Sequence, residues 1–118
     1  MKKVLAVDDS ATMRNLVKIA LEAEGFSVDT AQNGQEALEL TKKNTYDIVI
    51  SDINMPVMDG LQFLKEFRSF NRTTPFLMLT TETEAKKKEE AKRLGATGWI
   101  VKPFKPEDLI KVVRRVVR

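Results

Sequence analysis

Short apolar runs alternate with stretches of helical periodicity along the whole chain, and this alternation restricts the fold more than any other sequence feature. The apolar runs end at polar or turn-forming residues, as β-strands do. The stretches between them place apolar residues three and four positions apart, which is the spacing of one helix face. The runs predict five strands, at residues 4–7, 26–30, 47–51, 75–80 and 99–101.

The five predicted helices carry their own end signals. Gly25 ends the first, Asn33 caps the second, Asp59 caps the third, and Pro106 opens the last. The fourth, at residues 84–94, has the thinnest apolar stripe. A weakly anchored helix of this kind is the element that we expect to move most readily.

Strands apolar enough to be buried on both faces, each joined to the next by a helix, predict a parallel sheet with helices on both sides. The expected fold class is therefore α/β, with five βα units doubly wound about one five-stranded sheet. At 118 residues, the chain 1–118 is expected to form a single domain. Ligands bind such sheets beyond the carboxyl ends of the strands, so functional residues are expected there.

Two absent residue types limit the chemistry. With no histidine and no cysteine, the chain has no imidazole for a Ser-His-Asp arrangement and no thiolate for a metal or a disulfide. The net charge of +3 is small and spread along the chain, which favours a solvated surface over direct binding of nucleic acid. No apolar stretch reaches the ~20 residues of a membrane span. We therefore expect a cytoplasmic protein that does not insert into a membrane.

Polar side chains stand at the ends of four predicted strands. Asp8 and Asp9 follow the first strand, Asp52 follows the third, Thr80 ends the fourth, and Lys102 follows the fifth. Carboxylates that meet at one edge raise one another's pKa unless a cation neutralises them. An all-oxygen cluster suits Mg²⁺, with Mn²⁺ as the alternative ion. A lysine and a hydroxyl beside that cluster suit the oxygens of a phosphoryl group.

Each of these residues, taken alone, also has a purely structural explanation. Asp8, Asp9 and Ser10 suit a helix cap, Thr80 suits a strand, and Lys102 suits a solvated strand end. The four polar strand ends considered together are what favour a functional site.

These residues resemble the receiver domain of two-component response regulators, and most of all its single-domain chemotaxis type, the CheY-like proteins. The resemblance covers essentially the whole chain. It implies a flavodoxin-like sheet with the strand order 2-1-3-4-5. The motifs that carry it are Asp8-Asp9-Ser10, Asp52 with the segment NMPVMDG at 54–60, Thr80, and Lys102-Pro103-Phe104.

The resemblance implies that Asp52 is a phosphoacceptor that takes a phosphoryl group from a histidine kinase. Asp8, Asp9 and Asp52 would bind Mg²⁺ together with the backbone carbonyl of Asn54. Such a protein is a switch that catalyses only its own phosphorylation and dephosphorylation, and it is not an enzyme acting on a separate substrate.

The resemblance also implies the parts of the switch. Lys102 would pair with the phosphoryl group, Thr80 would hydrogen-bond to it, and Trp99 stands where the family has its switch aromatic. The peptide bond between Lys102 and Pro103 is expected to be cis. The fourth helix, fifth strand and fifth helix would form the face that binds partners.

Asn54 and Glu82 occupy positions that resemble the family's lifetime-tuning pair. Both side chains can reach a hydrolytic water, so we expect fairly rapid self-dephosphorylation in Mg²⁺. The sequence departs from the family at Trp99, where Tyr, Phe or His is usual, and at Thr81, where a small residue is usual. If Thr81 restricts access, Thr81→Ala will speed phosphorylation by small donors.

The expected partners are a CheA-like sensor histidine kinase and a target such as a flagellar motor switch protein or a phosphatase, with the protein a monomer. A phosphorelay intermediate would share every site residue. The receiver of a longer DNA-binding regulator is a further alternative, although the last helix closes at Arg118 with no linker. A Mg²⁺-dependent phosphohydrolase is disfavoured because no D-x-D-x-[TV] motif follows a strand, and a flavodoxin-like cofactor binder because no phosphate loop follows the first.

Overall fold

Strands and helices alternate along the chain in a computed structural model that describes residues 1–81 and 85–117. Each predicted element is present, with ends that shift by a few residues. The strands are β1 Lys3–Val7, β2 Ser27–Ala31, β3 Ile48–Asp52, β4 Phe76–Thr80 and β5 Gly98–Val101. The helices are α1 Ala11–Glu22, α2 Gly34–Lys43, α3 Gly60–Arg68, α4 Ala85–Leu94 and α5 Pro106–Val116.

The strands form one parallel sheet in the order β2-β1-β3-β4-β5, which confirms the predicted order. Every residue of the central β3 is buried, whereas the edge strand β2 leaves three residues half-buried. The register pairs Val7 of β1 with Ser51 of β3, and Thr80 of β4 with Val101 of β5. The residues that follow these strands therefore meet at one edge of the sheet, where the direction of winding reverses and a crevice opens.

Two apolar layers hold the helices against the sheet. One layer joins α2, α3 and α4 to the first sheet face and contains the aromatic side chains of Phe63, Phe67 and Phe76. The other joins α1 and α5 to the opposite face through residues such as Leu21 and Leu109. Both faces are covered, as expected for a sheet with helices on each side.

Side-chain caps fix where the helices begin. Asn33 accepts a hydrogen bond from the Glu36 N–H at the start of α2, and Asp59 accepts one from the Gln62 N–H at the start of α3. Ser10 caps α1 through the N–H of Met13. These caps set the helix starts beside the strand ends. The described residues contain no helix with the length and hydropathy of a membrane span.

Helix α4 has the thin apolar contact that its sequence predicts. Within residues 86–94, Ala91 is the one fully buried residue, and Leu94 is half-buried. Most of its charged side chains are exposed. Burial of apolar surface therefore contributes little to holding α4 in place.

Candidate metal centre

Three carboxylates meet at the carboxyl ends of β1 and β3. Asp8 and Asp52 are buried, and Asp9 is exposed. Each offers one oxygen, and the three oxygens lie within 4.8 Å of one another. Neighbouring strands cause this convergence, because β1 and β3 pair in parallel up to the residue before each buried aspartate. Carboxylates this close suit a hard divalent cation.

Lys102 reaches into the same cluster from the end of β5. Its ammonium Nζ lies 3.0 Å from Asp52 Oδ1 and 3.5 Å from Asp8 Oδ2. Three carboxylates and one ammonium carry a formal charge of −2 (−3 + 1). One divalent cation would neutralise that charge, so the residues fit Mg²⁺ by charge and by ligand type.

Burial and charge act in opposite directions on the central ion pair. Burial raises the pKa of Asp52; the hydrogen bond from Lys102 lowers it, and the charge of Asp8 raises it again, so the net shift is upward. Burial lowers the pKa of Lys102, but the hydrogen bond and charge of Asp52, together with the charge of Asp8, outweigh burial and raise that pKa. The lysine alone therefore leaves the Asp52 carboxylate short of compensating charge, which favours the binding of a further cation.

Two buried polar atoms in the described part of the chain have no hydrogen-bond partner: Asp8 Oδ2 and Thr80 Oγ1. The contact of Asp8 Oδ2 with Lys102 is a 3.5 Å ion pair, which is too long for a good hydrogen bond. Thr80 is fully buried at the end of β4. Unpaired buried oxygens and hydroxyls cost stability. A metal ion at Asp8 and a phosphoryl oxygen at Thr80 would supply the missing partners.

Backbone contacts position the residues around the acidic cluster. The Arg14 guanidinium on α1 donates to the carbonyl oxygen of Asp8 at 2.7 Å. The backbone N–H of Lys102 donates to the Thr80 carbonyl at 2.6 Å. The peptide bond between Lys102 and Pro103 is cis. The two residues predicted to contact a phosphoryl group are thus joined by a backbone hydrogen bond, one at the end of β4 and the other just after β5.

Gly60 brings the start of α3 against the backbone of Asp52. Its N–H donates to the Ile53 carbonyl at 2.7 Å. A Cβ at this position would fall 2.1 Å from the carbonyl oxygen of Asp52, so no other residue fits without moving the backbone. Sequence reasoning identified Asp59 and Gly60 only as a helix start. The glycine directly after the cap was the available signal for this close approach.

The loop between β3 and α3 holds two further features that sequence reasoning missed. The N–H of Gly34 donates to the Met58 carbonyl at 2.9 Å, and a Cβ on Gly34 would fall 2.6 Å from that oxygen. Val57 has φ 70° and is 82% exposed. A β-branched residue in the left-handed region is strained. No sequence signal identifies the Val57 conformation.

Two of the remaining predicted residues, Trp99 and Asn54, contact lysines of α4. Trp99 is 37% exposed, and the Lys88 ammonium lies 4.9 Å from the centre of its ring. Asn54 lies on the loop after β3, and its side-chain oxygen accepts a hydrogen bond from Lys87 at 2.6 Å. Glu82, the other residue predicted to tune dephosphorylation, lies outside the described residues.

The chain is similar to known proteins in both sequence and fold. Residues 4–114 match the family described as response regulator receiver domain. The chemotaxis response regulator CheY4 of Vibrio cholerae is 53% identical, with 99% of each chain covered and a TM-score of 0.93. The receiver domain of NtrX from Brucella abortus is 32% identical, with 96% of each chain covered and a TM-score of 0.91.

A curated relative, the transcriptional regulatory protein SrrA of Staphylococcus aureus, is 39% identical over 116 residues. That match covers 98% of this chain but only 48% of the relative. The chain therefore spans about half the length of the curated relatives that it matches.

Proposed function

We propose, from the fact that the chain belongs to the response regulator receiver domain family, that it is a phosphorylation switch with Asp52 as the phosphoacceptor. The observation that carries the proposal is the pair of buried carboxylates with the lysine between them, since Lys102 lies 3.0 Å from Asp52 and 3.5 Å from Asp8. The buried hydroxyl of Thr80 has no hydrogen-bond partner among the described residues. A purely structural ion-pair network does not explain this unpaired hydroxyl, whereas a site that receives a phosphoryl oxygen does.

The reaction is phosphoryl transfer from a phosphohistidine of a sensor kinase. An Asp52 carboxylate oxygen forms a bond to phosphorus, the bond between phosphorus and the histidine nitrogen breaks, and the imidazole leaves after taking a proton from solvent. Carboxylate and phosphoryl group are both anionic, so catalysis rests on alignment and neutralisation of charge. Lys102 supplies one positive charge next to the oxygens of the phosphoryl group that is transferred.

Asp8, Asp9, Asp52 and the backbone carbonyl of Asn54 would hold Mg²⁺ in this site, with Mn²⁺ as a substitute. A bound divalent ion supplies electrostatic stabilisation of the transferring phosphoryl oxygens. The protein's own residues orient that chemistry. Arg14 fixes the Asp8 backbone, and the close contact at Gly60 fixes the backbone of Asp52.

The phosphorylated side chain adds close to two negative charges beside Lys102 and Thr80. The Thr80 hydroxyl gains an acceptor that it lacks among the described residues. New hydrogen bonds at the ends of β4 and β5 would favour one arrangement of the weakly anchored α4 and of Trp99. The face formed by α4, β5 and α5 would then bind a downstream target. Water returns the switch to its starting state, and no separate substrate is turned over.

The finer proposal is a chemotaxis regulator of the cytoplasm, phosphorylated by a CheA-like kinase and acting as a monomer on a flagellar motor switch protein or a phosphatase. The similarity to CheY4, which extends over 99% of both chains, supports it. The similarity to SrrA supports a second candidate, the receiver of a transcriptional regulator. A phosphorelay intermediate uses the same site residues.

The single tryptophan offers a direct test of the switch. Beryllofluoride, which mimics a phosphoryl group on a carboxylate, is added with Mg²⁺ to wild type and to Asp52→Asn while Trp99 fluorescence is followed. We expect a saturable change in wild type and none in Asp52→Asn. A change of equal size in the variant would refute Asp52 as the phosphoacceptor.

A second experiment separates the two output candidates. The purified protein, with and without beryllofluoride and Mg²⁺, is tested for binding to the motor switch protein of its own organism. Binding that strengthens with beryllofluoride supports chemotaxis. If an immunoblot of the native organism shows a protein about twice as long as this chain, the transcriptional regulator is favoured instead.

A further inference from the structure

Three consecutive lysines follow the first residue of α4, and their side chains differ in exposure. Lys86 is exposed, whereas Lys87 and Lys88 are half-buried. The Lys87 ammonium donates to the side-chain oxygen of Asn54 at 2.6 Å, across 33 positions of sequence. This bond joins the helix with the thinnest apolar contact to the loop that follows Asp52.

The chemistry of the two groups fixes the orientation of the Asn54 amide. An ammonium has donors and no acceptor, so it binds the oxygen end of the amide. A hydrogen bond from a charged donor is short and roughly twice as strong as one between neutral groups. Lys87 therefore fixes the position of the Asn54 side-chain oxygen and occupies one of its two lone pairs.

Hydrolysis of an acyl phosphate at Asp52 would need an acceptor of this kind close to the phosphorus. Water forms a bond to phosphorus, the bond between phosphorus and the Asp52 oxygen breaks, and the products are the carboxylate, inorganic phosphate and a proton released to solvent. The attacking water must direct a lone pair at phosphorus and its protons at an acceptor. Asn54, two residues after Asp52, offers an amide oxygen on the same loop.

We propose that Lys87 is a positioning residue that prolongs the phosphorylated state by holding the side-chain oxygen of Asn54 away from the hydrolytic water. The inference rests on the proposed function. It also connects the lifetime to the position of α4, because a displacement of this helix withdraws Lys87 from Asn54. A partner that holds α4 in its present position preserves the phosphoryl group, and one that displaces α4 shortens its lifetime.

The test uses the charge-matched lysines of the same helix. Wild type, Lys87→Met, Lys87→Arg and Lys86→Met are phosphorylated with acetyl phosphate in Mg²⁺, the donor is removed, and loss of the phosphoryl group is followed. Lys87→Met is expected to lose it about threefold to tenfold faster, the size of one hydrogen bond's effect on a barrier. Lys87→Arg keeps the donor and is expected to decay like wild type, as is Lys86→Met.

The variant Asn54→Ala tests whether Lys87 acts through the Asn54 amide, because it removes the oxygen that Lys87 contacts. In the Asn54→Ala background, adding Lys87→Met is expected to leave the decay rate unchanged, because the oxygen that Lys87 holds is gone. An unchanged rate in Lys87→Met, or equal acceleration by Lys86→Met, overturns the inference while leaving the phosphoacceptor in place. Failure of the wild type to acquire a phosphoryl group on Asp52 overturns the proposed function, and the inference with it.

Discussion

Helices α3 and α4 flank the same site, but they are held in different ways. Helix α3 buries four of its nine residues, including Phe63 and Phe67, and its first residue, Gly60, packs directly on the backbone of Asp52. Helix α4 buries Ala91 among residues 86–94 and contacts the site through the polar groups of Lys87 and Lys88. The difference shows that Asp52 lies on a closely packed backbone, whereas α4 is held mainly by polar contacts that exchange easily.

This division suits the switch proposed above. In that switch the carboxylates would keep a metal-binding geometry in both states, and apolar packing with backbone contacts provides such rigidity. Helix α4 would need two arrangements of similar free energy, and polar contacts at a solvated surface provide such a balance. If the two helices differ in this way, substitutions on α3 and on α4 will have unequal effects.

The largest expected effect comes from removing packing on the α3 side. The Phe63 ring lies 5.3 Å from that of Phe76 and 6.0 Å from that of Phe67. Phe63→Ala is expected to lower the free energy of unfolding by about 3–5 kcal/mol. The matched change on α4, Ala91→Gly, is expected to cost about 1–2 kcal/mol. Urea unfolding measures both, and equal losses would contradict the proposed difference in anchoring.

The next largest effect is the stabilisation of the protein when Mg²⁺ binds the three-carboxylate cluster. An ion that binds only the folded state stabilises wild type by about 2.7 kcal/mol at one hundred times its Kd. Asp52→Asn, which removes one of the three carboxylates of the cluster, should show a clearly smaller gain in the same thermal melts. Equal stabilisation of the two proteins would place the ion elsewhere.

The acidic cluster also predicts a pH dependence in the presence of a chelator. Because burial raises the pKa of Asp52 in the folded state, the folded protein binds a proton more tightly there than the unfolded chain does. The contribution of Asp52 to stability therefore falls as pH rises from the ordinary carboxyl pKa through the raised one. Asp52→Asn cannot ionise, so its stability relative to wild type should increase across that window and remain higher at neutral pH.

Urea unfolding of both proteins at a series of pH values checks this prediction. The charged groups near Asp52 are Asp8, Asp9 and Lys102, and all three remain in the variant. A difference between the two proteins that does not change with pH would contradict the upward shift.

The smallest expected effect on stability lies on α4. Lys88→Ala removes the ammonium above the Trp99 ring and should cost only about 0.5 kcal/mol. Its effect on the tryptophan should be plain, since loss of the lysine stem exposes more of the ring to water and shifts the emission to longer wavelength. Lys86→Ala serves as the control because Lys86 is exposed. The same shift in both variants would contradict a specific contact.

Much of the fold was predictable from the sequence because its signals are local. Apolar runs, caps such as Asn33 and Asp59, and the thin stripe of α4 each depend on residues within a few positions. The convergence of Asp8, Asp52 and Lys102 at one sheet edge followed from the parallel topology, and the structure brings these three side chains together.

The features that escaped prediction depend on distant parts of the chain. The close approach of Gly34 to Met58 and the bond from Lys87 to Asn54 arise only when helices pack beside the loop after β3. Glycine and lysine are common at surfaces, so the presence of either residue does not predict such a contact. The conformation of Val57 runs against its own backbone preference and is imposed by the loop.

The hydrogen bond from the Lys102 N–H to the Thr80 carbonyl, at 2.6 Å, limits the degrees of freedom of the switch. Because the two backbones are coupled at this point, Thr80 and Lys102 cannot approach a phosphoryl group by separate strand movements. Their response is confined to side-chain rotation or to a joint displacement of the ends of β4 and β5. In the proposed switch, a phosphoryl group on Asp52 would therefore act on α4 and Trp99 through one correlated displacement.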